Sequence, residues 1–232
     1  MTCALFTCEE PATWRRVHQK YWVVVEARRT GKTPSKLLTL DKWYQEELPA
    51  TISNRPERHV TLIELVKLME WKLTRGKFRP RLQQLVESNC GDAVEKCSRK
   101  AFNLLPDVQA AITELSSLKG VGPATASAVL AVGAPEQAAF MSDEAMESIP
   151  GLTPIQYTVK HYILYLTKML EQTKKLNTLD PLEDWTPQRL EQCLWALSIA
   201  TKQKLPVLLD ICVSNKRNSE NDEKPQKKLK VK

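Results

Sequence analysis

Along most of this chain apolar residues recur every three or four positions, the period of one face of a helix. In TWRRVHQKYWVVVEARR the stripe is Trp14, Val17, Tyr21 and Val24, with Thr13 as the N-cap; Val23 to Val25 would suit a strand, but no turn and partner strand follow. SKLLTLDKWYQEEL continues the pattern through Leu37, Leu40, Trp43, Tyr44 and Leu48 and is expected to break at Pro49. TLIELVKLMEWKL opens with Thr61 and Glu64 at capping-box spacing. Helices are also predicted in RPRLQQLVES, in DAVEKCSRKAFNLL and in PDVQAAITELSSL, the last started by Pro106. PATASAVLAV is apolar on every side and is expected to be buried. PIQYTVKHYILYLTKMLEQTKK predicts a long amphipathic helix, and TPQRLEQCLWALSIAT one with Pro187 in its first turn and Leu190, Leu194 and Leu197 on one face. With no repeat and no hairpin of strands, the fold class is all-α.

Composition changes this picture little in the body of the chain and more at its end. A hydrophobic fraction of 42% predicts that most of the 232 residues fold. No run of about twenty apolar residues occurs, so no membrane span is expected, and the first residues lack the basic start and apolar stretch of a signal peptide. The net charge is +7, and the segment 214–232 holds seven Lys and Arg against three acids, leaving +3 for the rest. Low hydrophobicity and dense charge predict a disordered basic tail. Its KPQKKLKVK can be a nuclear-import signal, a nucleic-acid-binding arm or a solvated end. The six cysteines form no Cys-x-x-Cys pair and the three histidines are far apart, so no metal site is predicted. Reduced thiols in a cytosolic or nuclear compartment fit that pattern.

The chemistry concentrates in LKGVGPATASAVL, residues 118 to 130. A dinucleotide fingerprint would need a strand before Gly120 and a third glycine at 125, where Thr125 stands. The pattern instead predicts a helix-hairpin-helix. Ile112, Leu115 and Leu118 form the inner face of the first helix, Gly120-Val121-Gly122 the turn with Val121 as its apolar plug, and Pro123 the first position of the second helix. Backbone amides at that helix start suit a phosphate, glycine permits its close approach, and Lys119 adds charge beside it. The other reading is a plain turn between two helices that binds nothing.

LKGVGPATA resembles the hairpin of the helix-hairpin-helix DNA glycosylase superfamily, Leu-Pro-Gly-Val-Gly-x-x-Thr-Ala, and AAFMSDEAMESI places Asp143 where that superfamily has an aspartate. With LDKWYQEELPATISNR and LMEWKLTRGKFRPRL, the stretch from about residue 35 to 200 looks like the divergent Amun-like group. The resemblance implies two helical subdomains with the site in the cleft between them. It divides the chain into an N-terminal helical extension (1-34), the glycosylase-like domain (35-213) and the basic tail (214-232). It implies DNA as partner, a nuclear location with the import machinery reached through the tail, and no cofactor.

It also implies Asp143 as the catalytic carboxylate that meets an oxocarbenium-like sugar and orients the attacking water. Read from the residues alone, Ser142 or Asp143 can equally cap the helix EAMES. The position of the strand-cutting lysine is Ala124 here, which implies a glycosylase without that lyase step. Glu144-Ala145 follows Asp143 where relatives often have Thr-His, adding like charge. Lys72, Arg75, Lys77, Arg79 and Arg81 crowd a predicted loop around Gly76 and Pro80. The candidate nucleic-acid contacts are therefore Lys119, Gly120, Val121, Gly122 and Thr125 in the hairpin, and Arg75, Lys77 and Arg79 in the loop, with Phe78 able to wedge. The loop can instead be solvated and paired with acids such as Glu70. The six tryptophans sit on apolar stripes and are expected in the core. The implied function is a DNA glycosylase acting on a flipped base. The alternatives are a catalytically inactive DNA-binding or regulatory protein on the same fold, and a helical interaction module.

Overall fold

The computed structural model describes residues 4–28 and 34–208, and every regular element among them is helical. The basic tail, with its import and DNA-arm readings, lies outside the described residues. The helices are α1 (Pro11–Gln19), α2 (Tyr21–Ala27), α3 (Pro34–Lys42), α4 (Leu48–Ser53), α5 (Leu62–Arg75), α6 (Pro80–Glu87), α7 (Gly91–Asn103), α8 (Val108–Leu115), α9 (Pro123–Gly133), α10 (Asp143–Glu147), α11 (Val159–Leu179) and α12 (Pro187–Lys202). The all-α reading holds.

Several helix ends follow the local chemistry of the sequence. Thr61 and Glu64 close a full capping box on α5, Asp107 caps α8, Thr158 caps α11 and Thr186 caps α12 just before Pro187. Others correct it. α1 starts at Pro11 with Glu10 in the cap position, so Thr13 is not the N-cap; its hydroxyl donates to the Glu10 carboxylate instead. The stripe continuing into VVVEA is broken at Lys20 into two helices. α8 begins after Pro106 and α11 well after Pro154. Pro49 does not end its helix. Trp43–Glu47 is wound as a π segment, with the Leu48 amide donating five residues back to the Trp43 carbonyl, and Pro49 falls in the first turn of α4. The widened turn accommodates a residue that has no N–H to give.

The core gathers around α9, whose residues Thr125 to Val132 are all buried, as its apolar composition predicts. It packs against α4, α5, α8 and α11. Tyr44 on the π segment donates its hydroxyl to the Ala128 carbonyl of α9 at 2.9 Å and stacks on Trp71 with ring centroids 3.4 Å apart. Trp14, Trp43, Trp71, Trp185 and Trp195 are buried, in keeping with a packing role. The N-terminal helices belong to the same core: α1 and α2 lie on α12, and α2 on α3.

The two hairpin glycines do different things. Gly120 has φ +75°, and a Cβ there would come within 2.9 Å of the Leu85 Cβ and 3.1 Å of the Val86 amide nitrogen of α6. Its close approach is therefore to a neighbouring helix. Gly122 is exposed, and a Cβ there would meet nothing within 4 Å. Asn89 grips the turn from outside, accepting from the Lys119 amide and donating to the Lys119 carbonyl, each at 2.9 Å. Gly120→Ala is expected to lower the unfolding free energy by about 1–3 kcal/mol through overpacking. Gly122→Ala should change it by less than about 0.5 kcal/mol. Urea unfolding of the two variants checks the difference.

Candidate functional site

Between the end of α9 and the start of α10 the chain runs through Ala138–Ser142 buried and without a partner strand. Four of its backbone polar groups are satisfied by side chains from neighbouring helices, as a buried backbone requires. Tyr162 and Tyr165 of α11 donate to the carbonyls of Ala139 and Phe140 at 3.2 and 3.0 Å. The Phe140 amide donates to Gln188 and the Met141 amide to Ser127, each at 2.9 Å. Ser142 accepts from the Ala145 amide as the N-cap of α10 and donates to Glu191 at 2.6 Å. The cap is thus Ser142. Asp143, one residue on, is delivered at the first position of α10 with its carboxylate free of capping.

The Asp143 carboxylate is paired twice. Lys77 Nζ lies 2.7 Å from Oδ2, and the Tyr157 hydroxyl donates to Oδ1 at 2.7 Å. Burial alone would raise the Asp143 pKa. The hydrogen bonds from Lys77 and Tyr157, with the charges of Lys77 and Arg79, outweigh it and hold the carboxyl below its ordinary value. The Arg79 guanidinium stands 5.6 Å from the Tyr157 ring centroid. The loop does not pair with Glu70, which instead binds Lys36 of α3 at 2.7 Å.

Arg75 overturns its expected role. It is 1% exposed, not a surface cation for phosphate. Its Nη1 and Nη2 grip both Glu191 oxygens at 2.7 and 3.0 Å, and it lies over Trp195, Trp71 and Phe140, with its Cζ 4.3 Å from the Trp195 centroid. Burial disfavours its charge, but Glu191 and Asp41 more than compensate, and it titrates above its ordinary range. Its Nε is 3.9 Å from Asp41, itself held at 2.6 Å by both Tyr21 and Trp71, and Arg28 donates to the Arg75 carbonyl. Glu191 was not foreseen. The signal was present as an acid inside the apolar stripe LEQCLWAL. Tyr157 had no such signal, because its partner is distant in sequence.

These groups surround a cavity of about 280 Å³, near the lower end of ligand-sized sites, about 300 Å³. Asp143, Glu144, Tyr157, Lys77 and Arg79 line it, as do Gly120, Gly122, Ala124 and Thr125 of the hairpin, with Lys72, Arg75, Phe140 and Trp195 also on its walls. Val121 is buried, as the plug reading requires, and Lys119 is exposed but does not line the cavity. Among the described residues the amides of Gly122 and Ala124 have no acceptor, at the positive end of α9. Phe78 is 76% exposed on the loop. Among the described residues no His, Cys, Asp and Glu cluster could hold a metal, and no helix is long and apolar enough to cross a membrane. The chain matches no protein-family model, no curated protein and no solved structure.

Two outcomes follow from these pairings. Truncating Glu191 to Ala strands the Arg75 charge, and a loss of about 3–5 kcal/mol is expected in chemical unfolding. The Asp143 carboxyl should stay ionised below the ordinary value of about 3.9. The stability it contributes is present above that value and is lost as the pH falls through its depressed folded value. Lys77→Ala should move the Asp143 titration upward, as read by carboxyl NMR.

Proposed function

We propose that this chain is a nuclear DNA-binding protein of the helix-hairpin-helix glycosylase kind, which breaks the N-glycosidic bond of a nucleotide turned out of the duplex. One observation carries the reading: a single cavity is lined by Asp143, by the hairpin residues Gly120, Gly122, Ala124 and Thr125 and by the cations Lys77 and Arg79. In this reading the hairpin and α6 to α8 form one subdomain, the remaining helices the other, and the cavity is the cleft between them.

Phosphates of the strand sit at the Gly122 and Ala124 amides, with Lys119, Lys77 and Arg79 adding charge. Phe78 fills the gap left by the flipped nucleotide. As the bond between C1′ and the base nitrogen lengthens, its electron pair leaves with the base and the sugar becomes cationic. The Asp143 carboxylate stabilises that cation and takes the proton of the water that attacks C1′. Lys77, which is 67% exposed, exchanges Asp143 for a backbone phosphate when DNA arrives. A second reading, a DNA-binding protein without the chemistry, draws on one fact: both Asp143 oxygens are already occupied, by Lys77 and by Tyr157.

Charge reversal of Lys77 and Arg79 to Glu is expected to weaken duplex binding at about 0.1 M salt, measured by fluorescence anisotropy. No DNA affinity in the wild type would remove the reading. On duplexes carrying a panel of damaged bases, Asp143→Asn should bind DNA but excise about 10²-fold more slowly or less. Binding without excision by the wild type selects the second reading. Deleting residues 214–232 should reduce nuclear accumulation of the tagged protein, and an unaltered nuclear signal would count against the import role.

A further inference from the structure

Trp195 of α12 is fully buried on the cavity wall, and its indole N–H has no acceptor among the described residues. The ring cannot turn away. Arg75 stands 4.3 Å from its centroid, Arg28 5.4 Å and the Tyr21 ring 5.7 Å. A buried donor without a partner is costly, and one on a cavity wall calls for an acceptor in the ligand. Half-buried Lys72 of α5 lines the same cavity, and among the described residues its amine has no ion pair and no hydrogen bond. The other wall cations differ: Arg75 is matched by Glu191 and Lys77 by Asp143. Glu144, the second acid on the wall, acts on Arg28. The cavity thus offers an N–H and a positive charge to an occupant, and its acids are already engaged.

We propose that Trp195 and Lys72 select the base: the cavity takes a neutral base with a carbonyl oxygen beside its glycosidic nitrogen, as in uracil, and rejects a positively charged alkylated purine. The inference deepens the DNA reading above and rests on it, but not on completed excision. Carbonyl oxygens match the two donors. An alkylated purine brings charge of the same sign as Lys72 into a partly buried site, where like charges repel more strongly than in water.

The same pair serves the leaving step. When the bond from C1′ to the base nitrogen breaks, its electron pair stays on that nitrogen, and the adjacent carbonyl spreads the negative charge onto oxygen. The Lys72 ammonium and the Trp195 N–H donate to the carbonyl oxygens that carry this charge. The water that adds to C1′ gives its proton to Asp143, and from there it passes through solvent to the departing base, so Lys72 keeps its own. A cationic purine leaves as a neutral molecule and gains nothing from the ammonium. The protonation state of Lys72 agrees with this role. Burial and the Arg79 guanidinium lower its pKa to about 8, against a smaller upward pull from Asp143. At pH 7 roughly nine-tenths of such an amine is still charged.

The test reads fluorescence anisotropy of the full chain on duplexes whose target nucleotide carries a 2′-fluorine, which blocks cleavage of the glycosidic bond. The targets are uracil opposite guanine, 7-methylguanine opposite cytosine, and an undamaged pair. The wild type should bind the uracil duplex about tenfold more tightly than the undamaged one, and the 7-methylguanine duplex no more tightly than the undamaged one. Trp195→Phe keeps a ring but loses the N–H, and Lys72→Met keeps the length but loses the charge. Each should lose the preference for uracil and keep its affinity for the undamaged duplex. If Trp195→Phe does not fold, Lys72→Met decides. Equal or tighter binding of 7-methylguanine, or a preference that persists in the folded variants, overturns the assignment and leaves the DNA reading standing. Failure to bind any duplex overturns both. The preference without excision from an unfluorinated uracil duplex retains this inference and removes only the glycosidic step.

Discussion

The Arg75–Glu191 ion pair is the constraint around which the molecule is assembled. Two charges buried at 1% and 0% exposure are tolerated only if each is matched and hydrogen-bonded. Meeting that condition recruits much of the fold. Glu191 belongs to α12, Arg75 to α5 and Ser142, its third partner, to the cap of α10. Asp41 of α3 adds a second buried acid beside Arg75, and Arg28, just past α2, a second nearly buried base, so that two positive and two negative charges gather in this cluster. The indole and phenyl faces around Arg75 supply the remaining contacts of its guanidinium. Such a pair adds little net stability over an apolar core of the same volume. What it contributes is position.

That position is what the cavity needs. Ser142 has one hydroxyl, which donates to Glu191 and accepts from the first turn of α10, so the ion pair and the helix start are set by the same atom. Asp143 follows directly, and its carboxylate is left to Lys77, Tyr157 and the cavity. Lys72 is set from the other side, on the helix that Arg75 anchors. The acid and the two lysines around it are thus held by interior contacts rather than by the surface loop alone. This is the arrangement by which a rigid shell keeps a site in geometry. The loop residues Lys77, Phe78 and Arg79 remain exposed.

The hairpin divides its labour in a related way. Gly120 is spent on packing, since its left-handed turn presses against α6 where no Cβ fits. Gly122 has open space where its side chain would be and starts α9 with amides that no group among the described residues accepts. Close approach to a neighbouring helix and open backbone amides occur two residues apart.

Much of the fold was legible in the sequence, because helix periodicity, capping residues and proline at first turns are local rules. The α5 capping box, the caps and first-turn proline of α12, the buried α9 and the Gly-Val-Gly turn all follow from residues within a few positions of one another. Pro49 does not end its helix because a single widened turn relieves the clash that proline ordinarily causes, and nothing in its neighbours announces a π segment. At the site, the chain by itself singled out Asp143, the hairpin and the cationic stretch as candidates. Their grouping into one cavity, the choice of Ser142 over Asp143 as cap, and the fates of the cations were decided only by tertiary structure. Within ten residues, Arg75 became the buried centre of the core, Lys77 the partner of Asp143 and Lys72 an amine on the cavity wall, unpaired among the described residues. The reason is that charge and spacing are properties of the chain, whereas burial and pairing depend on which distant helix arrives opposite. Here those are α12 with Glu191, α10 with Asp143, and the segment before α11 with Tyr157.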